Sequence, residues 1–137
     1  MTQLIAIDST TFVAGQIRAS DLADIAACGV TMIVNNRPDG EELGQPDSAQ
    51  LEAAARAAGL AFRHVPIQGL PHPAAIAAVA DAIDAADGKV LLFCRSGTRS
   101  TWAWALAQAG RGADVSVLIG QAAAAGYDLS SLPHYLD

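Results

Sequence analysis

The apolar run Val90-Leu91-Leu92-Phe93, leading directly into Cys94-Arg95-Ser96-Gly97-Thr98-Arg99-Ser100 and an Ala-rich stretch, constrains the fold of this chain more than any other feature. A short apolar run bounded by turn chemistry reads as a buried strand, here residues 89–93, and the polar residues after it read as a tight loop opening a helix. That helix is expected to begin near Ser100 and to break at Gly110 and Gly112. A strand that feeds a helix through so short a loop belongs to a largely parallel sheet. In such sheets ligands bind beyond the carboxyl ends of the strands, which is where Cys94 falls.

The rest of the chain supplies the same alternation. Residues 4–7 and 12–15 read as strands joined by the polar turn Asp8-Ser9-Thr10-Thr11. Ser20 is the expected N-cap of a helix with Leu22, Ile25 and Ala26 on its apolar face and Gly29 at its end. Residues 31–35 form a buried strand, and the Pro38-Asp39-Gly40 turn lies in the polar loop behind it. Asp47 or Ser48 starts a helix that reaches Ala58, and residues 60–67 form another strand. Pro73 suits the first turn of a helix whose stripe is Ile76, Val79, Ala80 and Ile83. Asp114 caps a last helix ending at Gly126, and Trp102 and Trp104 are expected to pack on adjacent helices. With no repeat or linker in 137 residues, one domain spanning 1–137 is expected: an α/β fold, mostly parallel central sheet, helices on both faces.

Composition excludes several function classes. The formal net charge is -6, against the distributed basic surface that nucleic acid requires. No apolar run approaches the roughly 18 residues that span a bilayer, and the first residues lack a basic signal region, so a soluble cytoplasmic enzyme without membrane contact is expected. Two cysteines, Cys28 and Cys94, make no disulfide framework, and His64, His72 and His134 show no metal-ligand spacing. No metal and no cofactor is expected. Cys28 is expected to pack in its helix, with a resolving role toward Cys94 as the lesser alternative.

Two of the eight basic residues, Arg95 and Arg99, lie within five positions of Cys94, a local inversion of sign in an acidic chain. A thiol at a helix N-terminus meets unpaired N–H groups and the positive end of the helix dipole, both of which favour thiolate. Gly97 allows a backbone geometry that a side chain would obstruct, and Ser96, Thr98 and Ser100 offer hydroxyl donors. The expected site therefore has Cys94 as nucleophile, Arg99 as its catalytic partner, and Arg95, Ser96, Gly97, Thr98 and Ser100 around a small anion. Arg37 and Asp39 join as candidates because their loop leaves the neighbouring strand at the same sheet edge; the alternative is that they pair and shape their own turn.

Val13-Ala14-Gly15-Gln16, the Ser20 helix, residues 30–36, residues 62–67 and the Cys94 loop together resemble the protein tyrosine and dual-specificity phosphatase fold along nearly the whole chain. More narrowly, Asn35-Asn36-Arg37-Pro38-Asp39-Gly40-Glu41-Glu42, with Gln45-Pro46 and residues 94–100, is similar to the phosphatase-like domain of the beta-lactamase hydrolase-like proteins. That family is assigned both to phosphatases and to sulfurtransferases. Against the tyrosine phosphatase pattern, Phe93 replaces a His, four residues rather than five separate Cys94 from Arg99, and Gln68-Gly69-Leu70 stands where an Asp acid is usual. The shorter spacing resembles the rhodanese loop.

A loop one peptide shorter offers one fewer N–H and a smaller cradle, and a missing acid costs ester hydrolysis about 10²- to 10⁴-fold. The first expectation is thus a sulfurtransferase carrying sulfane sulfur as a Cys94 persulfide. Its substrates would be thiosulfate or a low-molecular-weight persulfide, its partner an acceptor thiol or a sulfur-oxidation enzyme. The alternative is a phosphatase acting on a phosphate ester through phosphocysteine at Cys94, with Asp39 or His72 as acid. A third reading is a non-catalytic anion-binding module.

Overall fold

The computed structural model describes residues 2–136. Its sheet contains β1 (Ile5–Ala6), β2 (Thr11–Ala14), β3 (Val30–Asn35), β4 (Ala61–His64) and β5 (Lys89–Phe93), in the order β1-β2-β5-β3-β4. Only the β1–β2 hairpin is antiparallel; the other pairs are parallel. The helices are α1 (Leu22–Ala27), α2 (Ser48–Ala57), α3 (Pro73–Ala85), α4 (Thr98–Gly110) and α5 (Val115–Ala124).

The all-apolar run of β5 reflects burial on both faces. Val90 and Leu92 point into a core shared with α3, α4 and α5, whereas Leu91 and Phe93 point into one shared with α1 and α2. Each of these β5 side chains is 1% exposed or less, so each contributes about 1.5 to 3 kcal/mol of burial. β5 is also central, pairing β2 on one side and β3 on the other, in register Ala14 to Phe93 and Asn35 to Phe93. β3 exits toward α2 on one face and β5 toward α4 on the other. The strand ends therefore diverge at Asn36 and Cys94, the crevice that such sheets use for ligands.

Local departures from the sequence expectations have physical reasons. Ser20 is no N-cap: it lies within a 3₁₀ turn, Ala19–Asp21, and buried Asp21 accepts the Arg18 N–H instead (2.9 Å). The ladder of β4 ends at His64, although the Val65 and Ile67 N–H groups still bond Asn35 and Asn36 (2.8 and 2.9 Å); Pro66, with no N–H, interrupts it. On α3 the deeply buried stripe is Ala75, Val79 and Ala82, with Ile76 and Ile83 half-buried beside it. Small residues there bring the helix close to the sheet. Trp104 reaches the edge hairpin, its indole N–H donating to Asp8 Oδ2 (2.8 Å), and half-buried Trp102 stands edge-on to Tyr135 with ring centres 5.5 Å apart. No helix among the described residues is long and apolar enough to cross a membrane.

Candidate active site

The loop from Cys94 to Arg99 is built by turning its carbonyl groups outward, each onto a different element. The Arg95 carbonyl accepts the Gln16 N–H beyond β2 (3.3 Å), and the Ser96 carbonyl accepts the Tyr127 hydroxyl (2.9 Å). The Gly97 carbonyl accepts both the N–H and the hydroxyl of Thr101 in α4 (2.9 and 2.8 Å). In a trans peptide the C=O and the following N–H point in opposite directions, so these bonds turn the Ser96, Gly97 and Thr98 N–H groups to the inner side. The Gly97 N–H lies 3.1 Å from Cys94 Sγ and donates to it.

Gly97 is the N-cap of α4 at φ +91°, a conformation strained for any L side chain, and a Cβ there would collide with the Tyr127 hydroxyl. α4 accordingly starts at Thr98, two residues before the expected Ser100. Cys94 is 1% exposed, yet it is packed into neither apolar cluster. The Gly97 amide is aimed at the sulfur, and the positive end of α4 lies beside it.

A second loop, residues 36–46, closes over this one through charge. Arg99 donates to both carboxylate oxygens of Glu41 (Nη1–Oε2 2.8 Å, Nη2–Oε1 2.9 Å) and to the Ile67 carbonyl (2.8 Å). The hydrogen bond from Arg99, assisted by Arg37, outweighs burial and holds the Glu41 carboxyl at about 2, well below its usual 4.5. In return Glu41, and then the charge at Cys94, push the Arg99 guanidinium further up. Arg37 is buried, with Nε on Glu41 (2.9 Å), Nη2 on Glu42 (3.3 Å) and Nη1 on Gln16 Oε1 (3.0 Å). Exposed Arg95 approaches Glu42 at 3.7 Å. Three arginines thus meet two glutamates, and the positive surplus expected around the thiol is largely compensated from within the chain.

The structure brings Cys94, Arg95, Ser96, Gly97, Thr98 and Arg99 together, with Ser96 and Thr98 exposed and their hydroxyls 3.1 Å apart. Ser100 is fully buried and donates its hydroxyl to Asn36 Oδ1 (2.8 Å), tying the two loops together. Arg37 and Asp39 do not pair with each other: Asp39 Oδ1 accepts the Ser48 N–H (2.8 Å) and caps α2 across nine residues. His72 Nδ1 accepts the Ala75 N–H (3.3 Å) and caps α3. Cys28 does not pack in its helix; it is exposed at the end of α1, ahead of the start of β3, at the far end of the sheet from Cys94. Glu41 and Gln16 lie in the stretches that carry the family resemblance but show no local sign of this role, and Tyr127 has no sequence signal at all; each reaches the loop from a distant part of the chain. Among the described residues no group of three or more His, Cys, Asp or Glu side chains is placed to hold a metal ion.

A mostly parallel sheet with a cysteine loop between its central strand and a helix N-terminus fits the class of phosphatase-like α/β domains. Residues 4–111 match the family described as Beta-lactamase hydrolase-like protein, phosphatase-like domain, and the chain belongs to that family. It is 38% identical over 107 residues to the beta-lactamase hydrolase-like protein of Xylella fastidiosa (strain Temecula1) and 36% identical over 106 residues to that of Agrobacterium fabrum. These matches cover 77% of this chain but 25% of each relative, so the chain spans about a quarter of their length. Among solved structures, a candidate phosphatase from Neisseria meningitidis superposes with a TM-score of 0.84 at 32% identity, covering 97% of this chain and 95% of that one. TpbA of P. aeruginosa in complex with phosphotyrosine shares the fold at 17% identity and a TM-score of 0.63, covering 88% of this chain and 75% of that one.

Proposed function

We propose that the chain is a cysteine-dependent phosphatase that hydrolyses phosphate monoesters through a phosphocysteine at Cys94. The observation that carries this reading is the Gly97 N–H donating to Sγ inside a loop whose carbonyls are bonded outward. Such a loop stabilises negative charge on sulfur and on oxygens placed above it. The phosphatase-like description of the matched family supports phosphate chemistry, and the phosphotyrosine held by TpbA fits a small phosphate-ester substrate.

In the first step Cys94 sulfur attacks phosphorus, the S–P bond forms, and the bond to the leaving oxygen breaks with its electron pair on that oxygen. Arg99 and the loop amides hold the non-bridging oxygens, and Arg95 assists at the rim. Water then attacks phosphorus, the S–P bond breaks, and phosphate and the thiolate are released.

Among the described residues, neither of the side chains expected as the acid is free to act as one. Gln68 cannot protonate a leaving group, and the Asp39 and His72 side chains are committed to helix caps. Esters whose leaving group departs more readily as an anion, such as aryl phosphates, are therefore expected to outrun alkyl phosphates by about 10²- to 10⁴-fold. Hydrolysis of an aryl phosphate that is lost in Cys94→Ser and blocked by vanadate is the expected result. Persistent turnover in Cys94→Ser, or indifference to vanadate, would refute the reading.

Sulfur transfer is the second reading, favoured by the four-residue spacing between Cys94 and Arg99 and by Gln68. There the thiolate would attack the sulfane sulfur of thiosulfate, forming an S–S bond as sulfite leaves with its electron pair. Mass spectra of the Cys94 peptide after thiosulfate and after an aryl phosphate separate the two, by gain of one sulfur or of one phosphoryl group.

A further inference from the structure

Tyr127 lies in the segment after α5, beyond the stretch matched to the family, yet it closes the back of the cysteine loop. Its hydroxyl donates to the Ser96 carbonyl at 2.9 Å. The N–H of that same peptide unit, Gly97, is the one that donates to Cys94 Sγ at 3.1 Å. One planar group therefore joins the phenol to the sulfur, the carbonyl at one end and the N–H at the other.

We propose that Tyr127 is a positioning residue for the anion cradle, fixing the Ser96–Gly97 peptide so that its N–H faces Cys94 and any anion above it. Two alternatives compete for that peptide. If it rotated, the Ser96 carbonyl would face the sulfur and repel an anion; the Tyr127 hydrogen bond and its ring against Gly97 oppose the rotation. A hydrogen bond on a carbonyl also polarises the N–H of the same unit, strengthening it as a donor. Burial, and then the charge at Cys94, raise the phenol above its usual range, so it keeps its proton and remains a donor throughout neutral pH. The neighbouring Arg95 and Gly97 carbonyls are held by groups within the family-matched stretch, Gln16 and Thr101. The Ser96 carbonyl is held from outside it.

This inference rests on Cys94 being the reactive thiol, and the two are tested separately. In a Cys28→Ser background, Cys94 is alkylated with iodoacetate, an anion, and with iodoacetamide, its neutral analogue. Tyr127→Phe keeps the ring and removes the donor, and is expected to lower the iodoacetate-to-iodoacetamide rate ratio about threefold to tenfold, the worth of one hydrogen bond. A ring that only packs would, when altered, raise or lower both rates together; an unchanged ratio overturns the proposal. Replacing Tyr127 by 3-fluorotyrosine, of the same shape and a stronger donor, is expected to hold or raise the ratio, and a fall would overturn it too. Neither readout needs turnover. Aryl phosphate hydrolysis surviving in Cys94→Ser would defeat the nucleophile reading while leaving the ratio to report on the cradle.

Discussion

The two loops that meet at the carboxyl edge of the sheet are held by different forces. Residues 94–98 are fixed by hydrogen bonds to their carbonyls from three parts of the chain and by one glycine conformation, and their only buried functional side chain is the thiol. Residues 36–46 are held by carboxylates on guanidinium groups, and at their tip Leu43 is fully exposed. Directional bonds among neutral groups barely respond to pH or salt, whereas ion pairs respond to both. The cradle is thus expected to keep its shape under conditions that loosen the cover.

The largest effect on this contrast is expected at the thiol. Cys94→Ser should lower aryl phosphate turnover by at least about 10³-fold while leaving the melting temperature nearly unchanged, since it removes the nucleophile and little packing. Gly97→Ala should come next, because the new methyl collides with Tyr127 and the φ of +91° is strained for alanine. We expect about 1 to 3 kcal/mol of lost stability by denaturant unfolding, with most of the activity gone. If that variant stays fully active, the cradle is softer than its bonding implies.

On the cover, Glu41→Gln should lower kcat/KM about tenfold by freeing Arg99, and cost about 1 to 3 kcal/mol because buried Arg37 loses a charged acceptor. Glu42→Gln, at a side chain half exposed, should cost less than about 1 kcal/mol, and its effect should vanish in high salt. Equal effects of the two glutamates would contradict the assigned geometry.

Acid should separate the loops again. The folded Glu41 carboxyl sits at about 2 against an ordinary 4.5, so its stabilisation is complete above the ordinary value and disappears as pH falls from about 4.5 to about 2. The stability gap between the natural chain and Glu41→Gln, measured by urea unfolding, is expected to be constant from pH 7 to 5 and to close toward pH 2. A gap that persists at pH 2 would mean that charge is not what Glu41 contributes.

Much of the molecule is legible one residue at a time. The apolar run of β5 announces a strand buried on both faces, the Cys94 loop announces a tight turn into a helix start, and Pro73, Asp114 and Gly126 mark helix ends near their observed places. Such features depend on short-range periodicity, backbone freedom and capping, which neighbouring residues alone decide. Resemblance in the two polar motifs likewise points to the family found. The loop spacing and Gln68 lean toward sulfur chemistry, whereas the matched family is described as phosphatase-like and the similar Neisseria structure as a candidate phosphatase.

Nothing local distinguishes Glu41 from Glu42, adjacent and identical in type among fourteen acidic residues, yet only Glu41 clamps Arg99, 58 positions away. Nor does anything near Tyr127 point to Ser96, 31 positions back, or anything near Asp39 to its cap on α2. Sequence by itself determined which elements form and where the thiol emerges, because those features arise from forces acting within a few residues. Only the tertiary structure decided which side chains face the sulfur, because hydrogen bonds and ion pairs depend on distances of a few ångströms that the packing of the whole sheet sets.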